Sequence, residues 1–223
     1  MKLMERKSGK QLLSGIIFII AFVIWTILIQ TIDVQPVGVN GTDIGFAAVN
    51  TRFFTLTGVN MTLYSITDWA GIVPLLVCML FGIVGLAQII KRKSLFKVDF
   101  DIIILGIYYV IVILCYLIFE MIPINYRPVL INGIAEASYP SSTTLLVMGV
   151  MPTLVFQVNR RFKENKVKKI INVITVLFSA FMVMGRLVSG VHWFTDIIGS
   201  ILLSTGLFLV YKAVVMLIDK EKA

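Results

Sequence analysis

Apolar and polar positions along the chain do not alternate with a strand or amphipathic-helix period; they fall into long apolar runs separated by short polar connections. Six runs reach spanning length, at about 11–31, 68–90, 101–121, 142–159, 170–189 and 194–218. About 20 apolar residues in helical conformation cross the hydrocarbon of a bilayer, so the pattern predicts an all-α bundle of six transmembrane helices. The whole of 1–223 reads as one membrane domain. The first run follows a basic segment, as in a secretory leader. It is long enough to span and no small-residue cleavage site follows it, so it reads as an uncleaved first helix. The longest connection, 32–67, contains the moderately apolar stretch from Ile44 to Phe54. Two readings of this stretch stay open: a short helix lying in the membrane interface, or an irregular loop resting on the bundle.

Composition agrees with this pattern. Hydrophobic residues make up 58% of the chain and charged residues 14%, and the mean hydropathy is +0.95, too apolar for a water-soluble domain. A net charge of +8 would suggest nucleic acid in a soluble protein. Here the basic residues sit in clusters between apolar runs: Lys2 to Lys10, Lys91 to Lys97, Arg160 to Lys169, and Lys212, Lys220 and Lys222. Of the 20 basic residues, all but Arg52, Arg127 and Arg186 fall in these clusters, on alternate connections. Nucleic-acid binding is therefore rejected, and the positive-inside rule places both termini in the cytoplasm. The two cysteines, Cys78 and Cys115, lie inside apolar runs with no His or acidic residue at ligand spacing. Neither a disulfide nor a metal site is expected.

Chemistry-bearing residues concentrate on the opposite face. The chain's single histidine stands in Gly185-Arg-Leu-Val-Ser-Gly-Val-His-Trp-Phe-Thr-Asp196. If the last helix starts near His192, the four-residue spacing sets the Asp196 carboxylate on the imidazole's face. A carboxylate there holds one ring N–H and leaves the other nitrogen free as a nucleophile. Arg186, at the end of the fifth helix, can fork onto phosphate oxygens. Tyr139-Pro-Ser-Ser-Thr-Thr144 opens the fourth helix with small hydroxyl residues, as an anion site at a helix N-terminus requires. Asn125-Tyr-Arg-Pro128 follows the third helix. With seven Arg and seven Asp in the chain, chance would set Arg six before and Asp four after a lone His on the order of once in a thousand cases. Taken singly, each residue has a plainer reading: the arginines as snorkelling anchors, Ser141 to Thr144 as an N-cap, His192 with Asp196 as a structural pair.

These residues resemble the three motifs of the type 2 phosphatidic acid phosphatase family, which shares its site with the vanadium haloperoxidases. Arg186, His192 and Asp196 match the third motif, with Gly185 in place of Ser. Pro140 and Ser141 match the second, with Ser142 and Thr143 in place of Gly-His. Arg127-Pro128 matches the first, with Glu120 in place of Lys.

The resemblance implies a metal-independent, cofactor-free lipid phosphatase of a bacterial plasma membrane, with its site on the extracytoplasmic face. His192 would attack phosphorus, Asp196 orient it, and Arg127, Arg186 and the helix start at Ser141, Ser142 and Thr143 hold the oxygens, before water resolves the phosphohistidine. The family's second-motif histidine protonates the departing alcohol, work for which Thr143 is unsuited. The leaving group of a lipid diphosphate is itself a phosphate and needs little protonation, so an isoprenyl diphosphate such as undecaprenyl diphosphate is favoured over a phosphatidate-type monoester. Glu120 is expected either to serve as the acid, if burial raises its pKa, or to pair Arg127. Rival readings are a phosphotransferase passing the phosphate to another lipid or glycan, and a degenerate member that binds lipid phosphates without turnover. Ionisable groups cluster at one face and are nearly absent from helix middles, which disfavours a transporter.

Overall fold

A computed structural model describes residues 2–163 and 165–221; Lys222 of the last basic cluster lies outside them. Eight α-helices carry the described residues: α1 (Lys2–Thr31), α2 (Ala47–Thr57), α3 (Met61–Ala70), α4 (Ile72–Arg92), α5 (Phe100–Met121), α6 (Ser142–Arg161), α7 (Asn165–Val188) and α8 (Phe194–Glu221). Six stretches are long and apolar enough to cross a membrane: 7–31, 61–92, 100–121, 142–161, 166–188 and 194–219. Five agree with the expected spans within a few residues.

The second differs. It begins at Met61 rather than near 68, because α3 continues into α4 through a bend at Gly71, whose N–H reaches the carbonyls of both Thr67 and Asp68. Hydropathy missed α3 because it carries Thr62, Tyr64, Ser65, Thr67 and Asp68. A local signal starts it nonetheless: the Asn60 side chain accepts the Leu63 N–H at 2.9 Å, an N-cap.

The stretch 44–54 becomes α2, which is both a helix and docked on the bundle. It starts three residues later than the apolar window, after a close approach of Gly45 to the end of α1: a β-carbon there would lie 1.6 Å from the Ile29 carbonyl oxygen. The buried Asn50 amide donates to the Gly45 carbonyl and to the Thr195 hydroxyl. Phe53 stacks on Phe194 with centroids 4.2 Å apart. The outward side keeps Val49 and Leu56 exposed, so α2 presents one face to the bundle and another to its surroundings.

Helix α6 is the central element, packing against α4, α5, α7 and α8. Over half of its span is buried, 56% against 17–33% for the others. One core joins Val77, Phe81, Leu105, Tyr108, Val147, Val150, Met182 and Tyr211. A second joins Phe22, Ile29, Tyr139, Leu145 and Leu203. Helices α1 and α8 come close where Gly15 faces the Gly206 carbonyl, the small-residue contact that lets membrane helices pack without a hydrophobic driving force. Large apolar side chains remain exposed along α1, α4, α5 and α7, as surfaces solvated by lipid require. At the basic end, Arg92–Asp99, Arg161–Asp101 and Arg160–Asp219 ion pairs tie α4, α5, α6 and α8 together. Burial raises the Asp99 carboxyl, but hydrogen bonds from Arg92, Arg161 and Gln88 outweigh it and hold the group below its usual range.

Candidate active site

At the opposite end of the bundle, the turn between α7 and α8 carries His192. Gly190 makes this turn possible: its φ is +68°, and a β-carbon would sit 1.9 Å from the Gly58 carbonyl oxygen. The segment before α3 is stitched to the same turn by an Asn60 N–H to Ser189 carbonyl bond of 3.0 Å.

Helix α8 starts at Phe194, as the apolar run has it, so His192 lies two residues before the helix, which alters the expected pairing. The imidazole Nδ1–H donates to the Ser138 carbonyl at 3.2 Å, while the Asp196 Oδ2 stands 3.7 Å away. Asp196 instead accepts the Trp193 N–H at 2.9 Å, the reach of an N3 carboxylate back to the N-cap. Its other oxygen takes the Asn125 amide at 3.4 Å. The anticipated Asp196–imidazole hydrogen bond is thus replaced by one to Ser138, because His192 precedes the helix and the carboxylate is committed to the helix start. With a carbonyl as its partner, Nδ1 carries the proton. The buried Nε2, with its lone pair, has no hydrogen-bond partner among the described residues. Burial and the positive charges of Arg127 and Arg186 push the His192 pKa well below its ordinary value, against a smaller opposing effect of the Ser138 bond.

Two guanidinium groups flank one ring. Arg186, in the last turn of α7 and 1% exposed, lies 4.9 Å from the Tyr64 centroid, and Arg127 lies 5.7 Å from it. Arg186 Nη2 contacts Asp68 Oδ1 at 3.3 Å; Arg127 Nε lies 3.1 Å from Glu136 Oε2, an ion pair out of hydrogen-bond alignment. Nε and Nη1 of both arginines are buried and have no hydrogen-bond partner among the described residues. Gly185, where the family pattern has Ser, is the close-approach point of α7 to α3: a β-carbon would meet Thr67 Cγ2 at 2.6 Å.

Arg127 sits in a bridged loop that hydropathy does not register. Tyr126 and Ala137 form one antiparallel bridge and Ile131 and Ile134 another, and the Arg127 N–H donates to the Glu136 carbonyl. This ladder sets Glu136 opposite Arg127. Glu120 is exposed at the end of α5 and forms no ion pair with Arg127, so the expected partner is corrected to Glu136 and the burial invoked for Glu120 as an acid is missing.

The start of α6 divides its residues. Ser141, the N-cap, is fully buried and its hydroxyl donates to the Thr144 hydroxyl at 3.0 Å, so it is spent inside the protein. Ser142 and Thr143 instead line a crevice of about 360 Å³ with Asp68, Gly71, Ile72, Leu75 and Tyr116. The first-turn N–H groups at 142–144 have no intrahelical acceptor. The arrangement therefore sets two guanidinium groups beside an imidazole with a free nitrogen, and the Asp68 that contacts Arg186 lines the adjoining crevice. Among the described residues no group of three His, Cys, Asp or Glu side chains is placed to hold a metal.

Sequence reading missed Tyr64, Asp68, Glu136 and Ser138. Only Asp68 left a trace, as a lone acid at the start of an apolar run; the others act through a ring face, a ladder partner and a backbone carbonyl, none of which has a spacing signature.

Comparison with known proteins agrees with this geometry. The crystal structure described as the first transmembrane PAP2-type phosphatidylglycerolphosphate phosphatase, from Bacillus subtilis, superposes with a TM-score of 0.62 at 19% identity, covering 94% of this chain and 97% of that one. At that identity the likeness is one of fold. No curated protein sequence matches the chain. The family profile described as the PAP2 superfamily matches residues 75–219, which takes in the first-motif arginine, the α6 start and the whole α7–α8 turn. The chain belongs to the PAP2 superfamily.

Proposed function

We propose that this protein is a lipid phosphatase that removes phosphate from a membrane lipid phosphate or diphosphate through a phosphohistidine on His192. One observation carries the reading: four buried nitrogens, Nη1 of Arg127, Nε and Nη1 of Arg186 and Nε2 of His192, have neither a hydrogen-bond nor an ion-pair partner among the described residues at one end of the bundle. Burying polar groups without partners costs about 1–3 kcal/mol each, more for charged ones. An anionic ligand that accepts from the guanidinium groups and presents phosphorus to Nε2 accounts for all four together.

In this reading the Ser138 carbonyl fixes the tautomer, and Asp196 supports the turn and the imidazole from 3.7 Å. Arg127, Arg186 and the N–H groups at the α6 start take the charge that grows on the equatorial oxygens. The basic clusters at the other end favour the cytoplasm, so the site faces the extracytoplasmic side of a plasma membrane. The absence of a strong proton donor at Thr143 favours a substrate whose leaving group is itself a phosphate, and an isoprenyl diphosphate fits.

The test is phosphate release from a panel of lipid monophosphates and diphosphates in detergent. Wild type is expected to act, with diphosphate faster than monoester, and His192→Ala to lose activity by at least about 10³-fold. Equal activity of the two proteins would remove the nucleophile, and a faster monoester would remove the diphosphate preference.

A further inference from the structure

Resolving a phosphohistidine requires a proton acceptor for the attacking water, on the face of phosphorus opposite His192, where the leaving group departed. Asp196 is fully buried, and its oxygens are taken up by the Trp193 N–H and the Asn125 amide. Glu136 belongs to the Arg127 loop, and its carboxylate is paired with Arg127. Glu120 does not line the crevice at Ser142 and Thr143.

Asp68 is differently placed. It projects from the last turn of α3 just before the Gly71 bend, and its Oδ1 is held by Arg186 Nη2. It forms one wall of the crevice with Ser142 and Thr143 on the other. The bend brings the walls together: a β-carbon on Gly71 would touch Thr143 Cγ2 at 3.6 Å. The Asp68 side chain is 53% exposed, so a proton taken there can pass to bulk water. The crevice is flanked by Trp69, Ile72 and Leu75, all exposed apolar residues, which suits the departing lipid. The Asp68–Arg186 contact joins this crevice to the guanidinium groups beside His192, which makes it a route for the leaving group and the incoming water.

Resting on the phosphohistidine reading, we propose that Asp68 is the general base of the second half-reaction. The water oxygen bonds to phosphorus, the P–Nε2 bond breaks with its electron pair returning to the imidazole, and the water proton passes to Asp68 and then to solvent. The sum is phosphoenzyme plus water giving free enzyme and phosphate, with no other reactant.

Rapid-quench labelling with a terminally ³²P-labelled lipid diphosphate separates the two half-reactions. Asp68→Asn is expected to keep the burst that loads His192 and to lose steady-state turnover by about 100-fold, so that acid-labile label accumulates. A histidine introduced across the crevice, D68N combined with T143H, is expected to recover at least tenfold of the loss. D68S gives the same reading should the amide variant not fold. If Asp68 only orients Arg186, loading slows and KM rises while no label accumulates, which overturns the proposal; unchanged turnover overturns it equally. A wild-type protein that releases phosphate without ever carrying label on His192 sinks the covalent reading itself, and the role of Asp68 with it.

Discussion

Arg186→Lys discriminates most sharply between a phosphate grip and a membrane anchor. The wild-type guanidinium spends Nη2 on Asp68 and keeps Nε and Nη1 buried without hydrogen-bond partners among the described residues. Lysine preserves the positive charge and can preserve the Asp68 contact, but it cannot present two further N–H groups in a fixed plane. Hydrogen bonds involving a charged group contribute roughly 1.5–3 kcal/mol each. Losing two in the transition state, with partial recovery by the ammonium, leaves a deficit of about 3 kcal/mol, or about two decades in kcat/KM. The fall should appear in kcat as well as KM, because the charge that the fork meets grows as phosphorus is attacked. The measurement is phosphate release from the preferred lipid, with a parallel thermal melt in detergent. An anchor that snorkels loses nothing of consequence on Arg→Lys, so activity within about twofold of wild type at normal loading would refute the assignment. The substitution is more informative than Arg186→Ala, which would leave Asp68 without its cation and confound folding with catalysis.

Three further outcomes are expected. Because burial and the two arginines depress the His192 pKa, the free enzyme keeps its nucleophile neutral down past pH 6.5. The lone imidazole of the chain should show no titration centred at or above that value by NMR, and kcat/KM should fall only at lower pH, as protonation removes the lone pair. Gly190→Ala places a methyl against the Gly58 carbonyl at a positive φ and should destabilise by more than about 1 kcal/mol, lowering the melting temperature and activity together. Tyr64→Leu removes the ring shared by Arg127 and Arg186; at about 1 kcal/mol per partly desolvated cation–π contact, kcat/KM should drop roughly tenfold or more while membrane insertion is unaffected.

How much was legible in the chain differs between fold and site. The six spans could be read from run length because a bilayer demands about 20 apolar residues per crossing, and that demand is local. The same measure failed at α3, whose polar side includes Tyr64, Thr67 and Asp68. A helix lining a charged site inside a membrane bundle is less apolar than its neighbours, so hydropathy trims it where it matters for chemistry. Arg127, Arg186, His192 and Asp196 were legible because their types and spacing carry a resemblance, and Thr143 because it departs from one.

What the chain could not disclose was partnership. Run length and charge were enough to read a helical protein with its basic clusters at one end and a histidine, two arginines and a hydroxyl-rich helix start at the other. Only the folded chain decided that the imidazole leans on the Ser138 carbonyl instead of Asp196, that Arg127 meets Glu136 instead of Glu120, that Ser141 turns inward while Ser142 and Thr143 face the crevice, and that Asp68 meets Arg186 from 118 positions away. The physical reason is range. Crossing a membrane constrains consecutive residues, whereas a hydrogen bond constrains two atoms wherever the chain brings them, and that is settled by how α3, α6 and α7 pack.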